Sequence, residues 1–130
     1  MLRRVLLAQT SFLGDVVLTT ALARVIAEAL PEAEVHWLVR PDAVSLIEPA
    51  AGTGWVIAFD KRGADRGIGG LRALARRLES KRFDAAIAVQ RSLRTAALLA
   101  MARIPLRIGY AGTTGSWLYH RRVARTGAHA

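Results

Sequence analysis

Cysteine is absent from the 130 residues, which excludes a disulfide framework and thiolate metal sites. Histidine is scarce, and His36, His120 and His129 lie too far apart to suggest a ligand set, so neither a metal site nor redox chemistry is expected. Long apolar runs are missing as well. No stretch reaches the roughly 18 apolar residues that cross a bilayer. The opening segment imitates a secretory signal, with Arg3 and Arg4 ahead of apolar residues and Ala21-Leu22-Ala23 in the place of a cleavage site. Gln9, Thr10, Ser11, Gly14 and Asp15 break the apolar centre that such a signal requires. The reading is a soluble cytoplasmic domain, without internal repeats or low-complexity tracts.

Acidic residues are outnumbered, 10 against 19 basic ones, for a formal net charge of +9. All the basic residues except Lys61 and Lys81 are arginine, whose planar fork binds phosphate and carboxylate bidentately. The charge therefore favours an anionic partner without choosing among nucleic acid, an anionic membrane surface and a phosphorylated small substrate. A general preference for arginine on solvated faces would leave the same balance. What is plentiful is apolar: 52% of residues are hydrophobic and 22% charged, enough for one sizeable core and one domain over residues 1–130.

Apolar spacing divides that domain into alternating elements. Arg4 to Ala8 reads as a strand, and from Val16 the period becomes helical, with Leu18, Leu22, Val25, Ile26 and Ala29 expected on the buried side. Pro31 ends the helix, Glu34 to Val39 is a second strand, and residues 41–49 hold a short helix. Trp55 to Phe59 is a third strand. A charged, glycine-rich loop from Lys61 to Gly70 precedes a helix with Leu71, Leu74, Ala75 and Leu78 on its stripe. Asp84 to Val89 is a fourth strand, Leu93 to Ala102 a helix, and Leu106 to Gly109 a fifth strand; no element is assigned beyond Gly109. Strands apolar on both faces, alternating with helices, indicate an α/β fold with an open, mostly parallel sheet.

Ligands of such sheets bind beyond the carboxyl ends of the strands. Three loops fall there: Gln9 to Asp15, Lys61 to Gly70, and Gln90 to Arg94. The first is neither a GxGxxG fingerprint, having Gly14 alone, nor a P-loop, since no Gly-Lys-Ser/Thr follows. From spacing alone Asp15 also reads as the N-cap of the first helix. Trp37 and Trp55 are assigned to the core, and the histidines to structural or exposed positions.

The run Val5-Leu6-Leu7-Ala8-Gln9-Thr10-Ser11-Phe12-Leu13-Gly14-Asp15 resembles the opening of the heptosyltransferase family of lipopolysaccharide biosynthesis, with its strand and Ser-x-x-Gly-Asp turn. Leu38-Val39-Arg40-Pro41, Ile57-Ala58-Phe59-Asp60, Val89-Gln90-Arg91-Ser92-Leu93-Arg94 and Arg107-Ile108-Gly109-Tyr110 agree in order. The resemblance implies a Rossmann-like, acceptor-binding N-terminal half of a GT-B glycosyltransferase. Its C-terminal nucleotide-sugar domain, where a donor such as ADP-heptose binds, is absent from this chain. It further implies Asp15 as general base of an inverting transfer, with no other cofactor and no metal. Thr10, Ser11, Gly14, Lys61, Arg62, Arg91, Ser92 and Arg94 become candidates for holding an anionic saccharide or lipopolysaccharide-core acceptor.

An isolated acceptor lobe has the base without the donor, so no transfer is expected from these residues alone. Trp117 and Tyr119 are candidates for packing against the absent lobe, and peripheral contact with the inner membrane face is a further expectation. The competing class is non-enzymatic: a flavodoxin-like domain, or a basic module for anions or nucleic acid. A receiver-type domain would use Asp60 as phosphoacceptor, but no acidic pair follows strand one. Few aromatics interleave with the basic residues, so nucleic acid is not the expected partner.

Overall fold

The computed structural model describes residues 2–10, 13–47, 53–61, 63, 65–89, 92–110 and 120–123. Strand β1 (Arg4–Gln9) buries every residue after its first, with Leu6 and Ala8 entering one hydrophobic cluster and Leu7 another. This two-residue alternation shows why the strand reads as an unbroken apolar run: both of its faces are covered. Helix α1 (Leu13–Ala29) leads to β2 (Glu34–Val39), and a 3-10 turn (Pro41–Ala43) runs into the short α2 (Val44–Ile47) before β3 (Thr53–Ala58). Helix α3 (Gly67–Ser80), β4 (Ala85–Ala88), α4 (Leu93–Met101), β5 (Leu106–Tyr110) and β6 (Arg121–Val123) follow.

The strands form one six-stranded sheet in the order β3-β2-β1-β4-β5-β6, and every pairing is parallel. In the central register Leu7 lies between Trp37 of β2 and Ile87 of β4. Helix α1 and the Pro41–Ile47 segment cover one face, where Val16, Ile26, Ala43 and Ile47 meet Leu7, Val35 and Trp37. Helices α3 and α4 cover the other, where Leu74, Leu78, Leu98 and Leu99 meet Leu6, Leu38 and Phe59. The expected α/β parallel sheet is therefore present, whereas a flavodoxin-like domain has strand order 2-1-3-4-5, so that alternative is overturned. No helix among the described residues is long and apolar enough to cross a membrane.

Several expectations need correction. Helix α1 starts at Leu13, so Gly14 and Asp15 sit in its first turn rather than in a loop, Gln9 ends β1, and Asp15 is not the N-cap. Its inward stripe is Val16, Thr19 and Ile26, with Leu22 and Ala23 half-buried, while Leu18 and Val25 are 74% and 59% exposed. Apolar residues occur all around this helix, so spacing alone could not choose the face. Helix α3 begins four residues before Leu71, because the poor helix propensity of glycine disguised a first turn holding Gly67, Gly69 and Gly70. Trp55 is 39% exposed rather than core, since β3 is an edge strand. Strand β6 had no counterpart in the sequence reading; Trp117 and Tyr119 lie outside the described residues.

Candidate functional site

The chain order moves outward from β1 through β2 to β3, then returns past β1 to β4, β5 and β6. The reversal falls between β1 and β4, and in open parallel sheets the crevice at the carboxyl ends of the two switch-point strands receives the ligand. The loops after β1 and β4 flank it. The described residues at their roots are fastened by buried polar groups: the Gln9 Nε2 amide donates to Thr19 Oγ1 at 3.3 Å and to the Val89 carbonyl at 3.2 Å. Thr19 Oγ1 in turn donates to the Asp15 carbonyl at 2.7 Å, and the hydroxyls of Thr10 and Thr95 lie 3.5 Å apart. One set of polar groups thus ties the end of β1 to α1 and to the residue after β4, and a second ties Thr10 to α4.

Asp15 is exposed in the first turn of α1, where the helix dipole and its free N–H groups favour a carboxylate. Among the described residues its carboxylate has no hydrogen bond or ion pair. At Gly14 an added Cβ would meet nothing within 4 Å, so packing among the described residues does not demand glycine there.

Ser92 is the N-cap of α4, its Oγ accepting the Thr95 N–H at 3.2 Å, and Arg94 is exposed one residue into that helix. Lys61 follows β3, half-buried, with Nζ 5.5 Å from the centre of the Phe59 ring. Burial pushes its pKa below the usual lysine value, and repulsion from Arg94 and Arg40 adds to the fall. The topology thereby gathers three cations from the ends of β2 and β3 and the start of α4, and one of these, Arg40, pairs with Asp42 at 2.5 Å.

The start of the loop after β3 is held by acids turned onto the backbone. Asp65 Oδ2 accepts the Asp60 N–H at 2.8 Å and Asp60 Oδ1 accepts the Gly63 N–H at 3.0 Å. A side chain on Gly63 would collide with the Asp60 carboxylate, and one on Gly70 with the Asp65 backbone, so these glycines permit the turn. Asp60 has a turn-forming role that the sequence reading did not anticipate.

Ser11, Arg62 and Arg91 lie outside the described residues. The sequence reading missed Arg40, which the rule applied to the other loops would have found, since it directly follows β2. It also missed Thr95 and Thr19 as supports. Cavities of about 380 and 440 Å³ lie between α3 and α4 and along the free edge of β3; at the switch point the described residues bring polar groups together.

Residues 71–130 match the profile of Glycosyltransferase family 9 (heptosyltransferase). Over 118 residues the chain is 28% identical to lipopolysaccharide core heptosyltransferase OpsX of Haemophilus influenzae, a match covering 88% of this chain and 33% of that protein. The fold is similar to that of E. coli ADP-heptose lps heptosyltransferase II, with a TM-score of 0.82 at 25% identity over 96% of this chain and 36% of the other. It is also similar to that of E. coli heptosyltransferase WaaC with ADP, with a TM-score of 0.77 at 26% identity over 93% and 40%. The chain spans about a third of the length of the curated relative it matches.

Proposed function

Because this chain is related to the heptosyltransferases of glycosyltransferase family 9, we propose that it is the acceptor-side lobe of a two-lobed, GT-B-type sugar transferase with Asp15 as general base. The acceptor is an anionic saccharide of the lipopolysaccharide-core class, and the donor, ADP-heptose or a similar sugar nucleotide, binds a second lobe outside this chain. The reaction belongs to the cytoplasmic side of the inner membrane, where a lipid-linked acceptor would be met peripherally.

The observation that carries this reading is the exposed Asp15 carboxylate, unpartnered among the described residues, on the sheet edge that also carries the Lys61, Arg94 and Arg40 cluster. A sugar hydroxyl attacks poorly until its proton leaves. Asp15 accepts that proton as the oxygen bonds to the anomeric carbon, while the bond from that carbon to the nucleoside diphosphate breaks on the opposite face. The product is inverted and no covalent enzyme intermediate forms. Lys61, Arg94 and Arg40, with Arg62 and Arg91 from the same loops, neutralise carboxylates or phosphates of the acceptor. Thr10, Ser11 and Gly14 are assigned to acceptor binding by the motif that ends in Asp15, and Ser92 caps the start of α4.

In the complete two-lobed enzyme, Asp15→Asn is expected to lower turnover by about 10²-fold or more, since the amide keeps the shape but takes no proton. Losing one charge from the first turn of α1 is worth only about 0.3–1 kcal/mol, so the melting temperature should move by a few degrees at most. Steady-state transfer and thermal unfolding on the same variant check this. Retained turnover would remove Asp15 from the chemistry.

A further inference from the structure

Charge is unevenly distributed over the chain. Residues 67–110 hold nine basic side chains against two acids, a net +7 of the total +9, which leaves +2 for the other 86 residues. This segment supplies α3 and α4, which cover the same face of the sheet. Along the groove between them run Arg72, Arg76 and Arg103, over a floor of Ala75, Ala100 and Met101. Arg82 and Arg103 line its continuation at the helix ends.

The two acids neutralise only one member of this row. Glu79 pairs with Arg103 at 3.9 Å, and one oxygen of Asp84 accepts the backbone N–H groups of Arg3 and Arg4 at 2.8 and 3.0 Å. Among the described residues Arg72, Arg76, Arg77 and Arg82 have no ion-pair partner. The arrangement also works against local stability. Arg72 and Arg76 repel each other one turn apart on α3, and Arg82 and Arg103 hold left-handed φ values of 58° and 56°, where a residue with a Cβ is strained.

We propose that the α3–α4 face docks on an anionic phospholipid surface, with Arg72, Arg76 and Arg82 reaching lipid phosphates. Two helices side by side give a broad front suited to a planar partner, and arginine stems can lie on the alanine and methionine floor while their heads meet headgroups. Neither helix contains an aromatic residue on which bases could stack, which disfavours single-stranded nucleic acid as the occupant. The inference deepens the reading above, which supplies a lipid-linked acceptor, but its test needs no acceptor.

The test is co-sedimentation of the 130-residue chain with acceptor-free vesicles of phosphatidylcholine, with and without about a third phosphatidylglycerol. Binding to the anionic vesicles only, weakened by salt, is expected. Arg72→Gln with Arg76→Gln should weaken it at least about tenfold, while Arg24→Gln with Ala27→Glu, an equal change of charge on exposed positions of α1 across the sheet, should change it less than about threefold. Thermal unfolding of both double variants verifies that they fold. Equal losses from the two pairs, equal binding to neutral vesicles, or tighter binding to a single-stranded oligonucleotide at the same ionic strength would each overturn the proposal. In a parallel titration with a detergent-dispersed, phosphorylated core saccharide, retained binding beside failed vesicle binding removes only this surface. Lost saccharide binding beside intact vesicle binding removes only the acceptor assignment.

Discussion

Two single residues on the candidate edge separate folding from function. Gly14 is the second residue of α1 and has open space where a Cβ would stand, yet glycine within a helix is destabilising relative to alanine by about 0.5–1 kcal/mol. Gly14→Ala should therefore raise the melting temperature by a few degrees, because alanine restrains the unfolded chain and no neighbour obstructs its methyl group. If the acceptor passes close to the backbone beside Asp15, the same variant should lose transfer in the complete enzyme. Gained stability with lost turnover is the expected pair. A variant that gains stability and keeps full turnover would show that nothing approaches this backbone. Gly14 and Asp15 were legible in the sequence through the Gly-Asp motif, but their helical setting was not, because the first turn of α1 lies ahead of the apolar spacing that marks the rest.

Among elements, β3 is an edge strand with an irregular register against β2. His36 pins it. The buried ring accepts the Trp55 N–H at Nδ1, 2.7 Å away, sets Nε2 3.0 Å from Glu34 Oε1, and stacks on the Trp55 ring at 4.5 Å. Gly54 makes room, since a Cβ there would strike the imidazole. Nδ1 must stay unprotonated to accept. Burial pushes the His36 pKa below 6.5; Glu34 opposes the fall, and the nearby Arg4 and Lys81 charges add to it. The unfolded chain thus takes the proton first as pH falls, so this stabilisation is complete above about pH 6.5 and is lost as pH falls through the lower, folded-state value. One proton limits the slope to about 1.4 kcal/mol per pH unit. Denaturant unfolding from pH 8 to 5 should show that decline, and His36→Gln should remove it while lowering stability at pH 8. Asp84, held below its ordinary 3.8 by the Arg3 and Arg4 N–H groups, acts only in stronger acid. None of this latch was legible beforehand. The sequence marks His36 and Trp55 as strand residues, whereas their pairing depends on which strand stands at the sheet edge. The parallel sheet itself was legible from runs such as Val5 to Ala8, because burial on both faces leaves an unbroken apolar signature. Strand β6, with Arg121 and Arg122 at its start, carries no such signature.

At the scale of the whole molecule, the cluster of Lys61, Arg94 and Arg40 exists only because the sheet order brings the carboxyl ends of β2 and β3 and the start of α4 to one edge. The sequence places these residues 21 and 33 positions from Lys61, so no local pattern joins them. Burial and the two arginines lower the Lys61 pKa, which means that the folded chain gives up this proton at lower pH than the unfolded chain. Charged Lys61 therefore weakens folding at neutral pH, and that loss is relieved as pH rises through its folded value toward the ordinary 10.5. A bound anion should reverse the shift, because it stabilises the charged ammonium and offsets the arginines. Only Lys61 and Lys81 contribute lysine signals, so carbon-13 labelling at lysine Cε gives two titration curves, assignable with Lys81→Arg. Arg94→Gln should move the Lys61 midpoint upward and weaken binding of a phosphorylated core saccharide. Saturating saccharide should move the wild-type midpoint upward as well, and affinity should fall at alkaline pH as the proton leaves. If Arg94→Gln shifts the midpoint but saccharide does not, the cluster is a structural consequence of the fold, and the anionic end of the acceptor binds elsewhere on this edge.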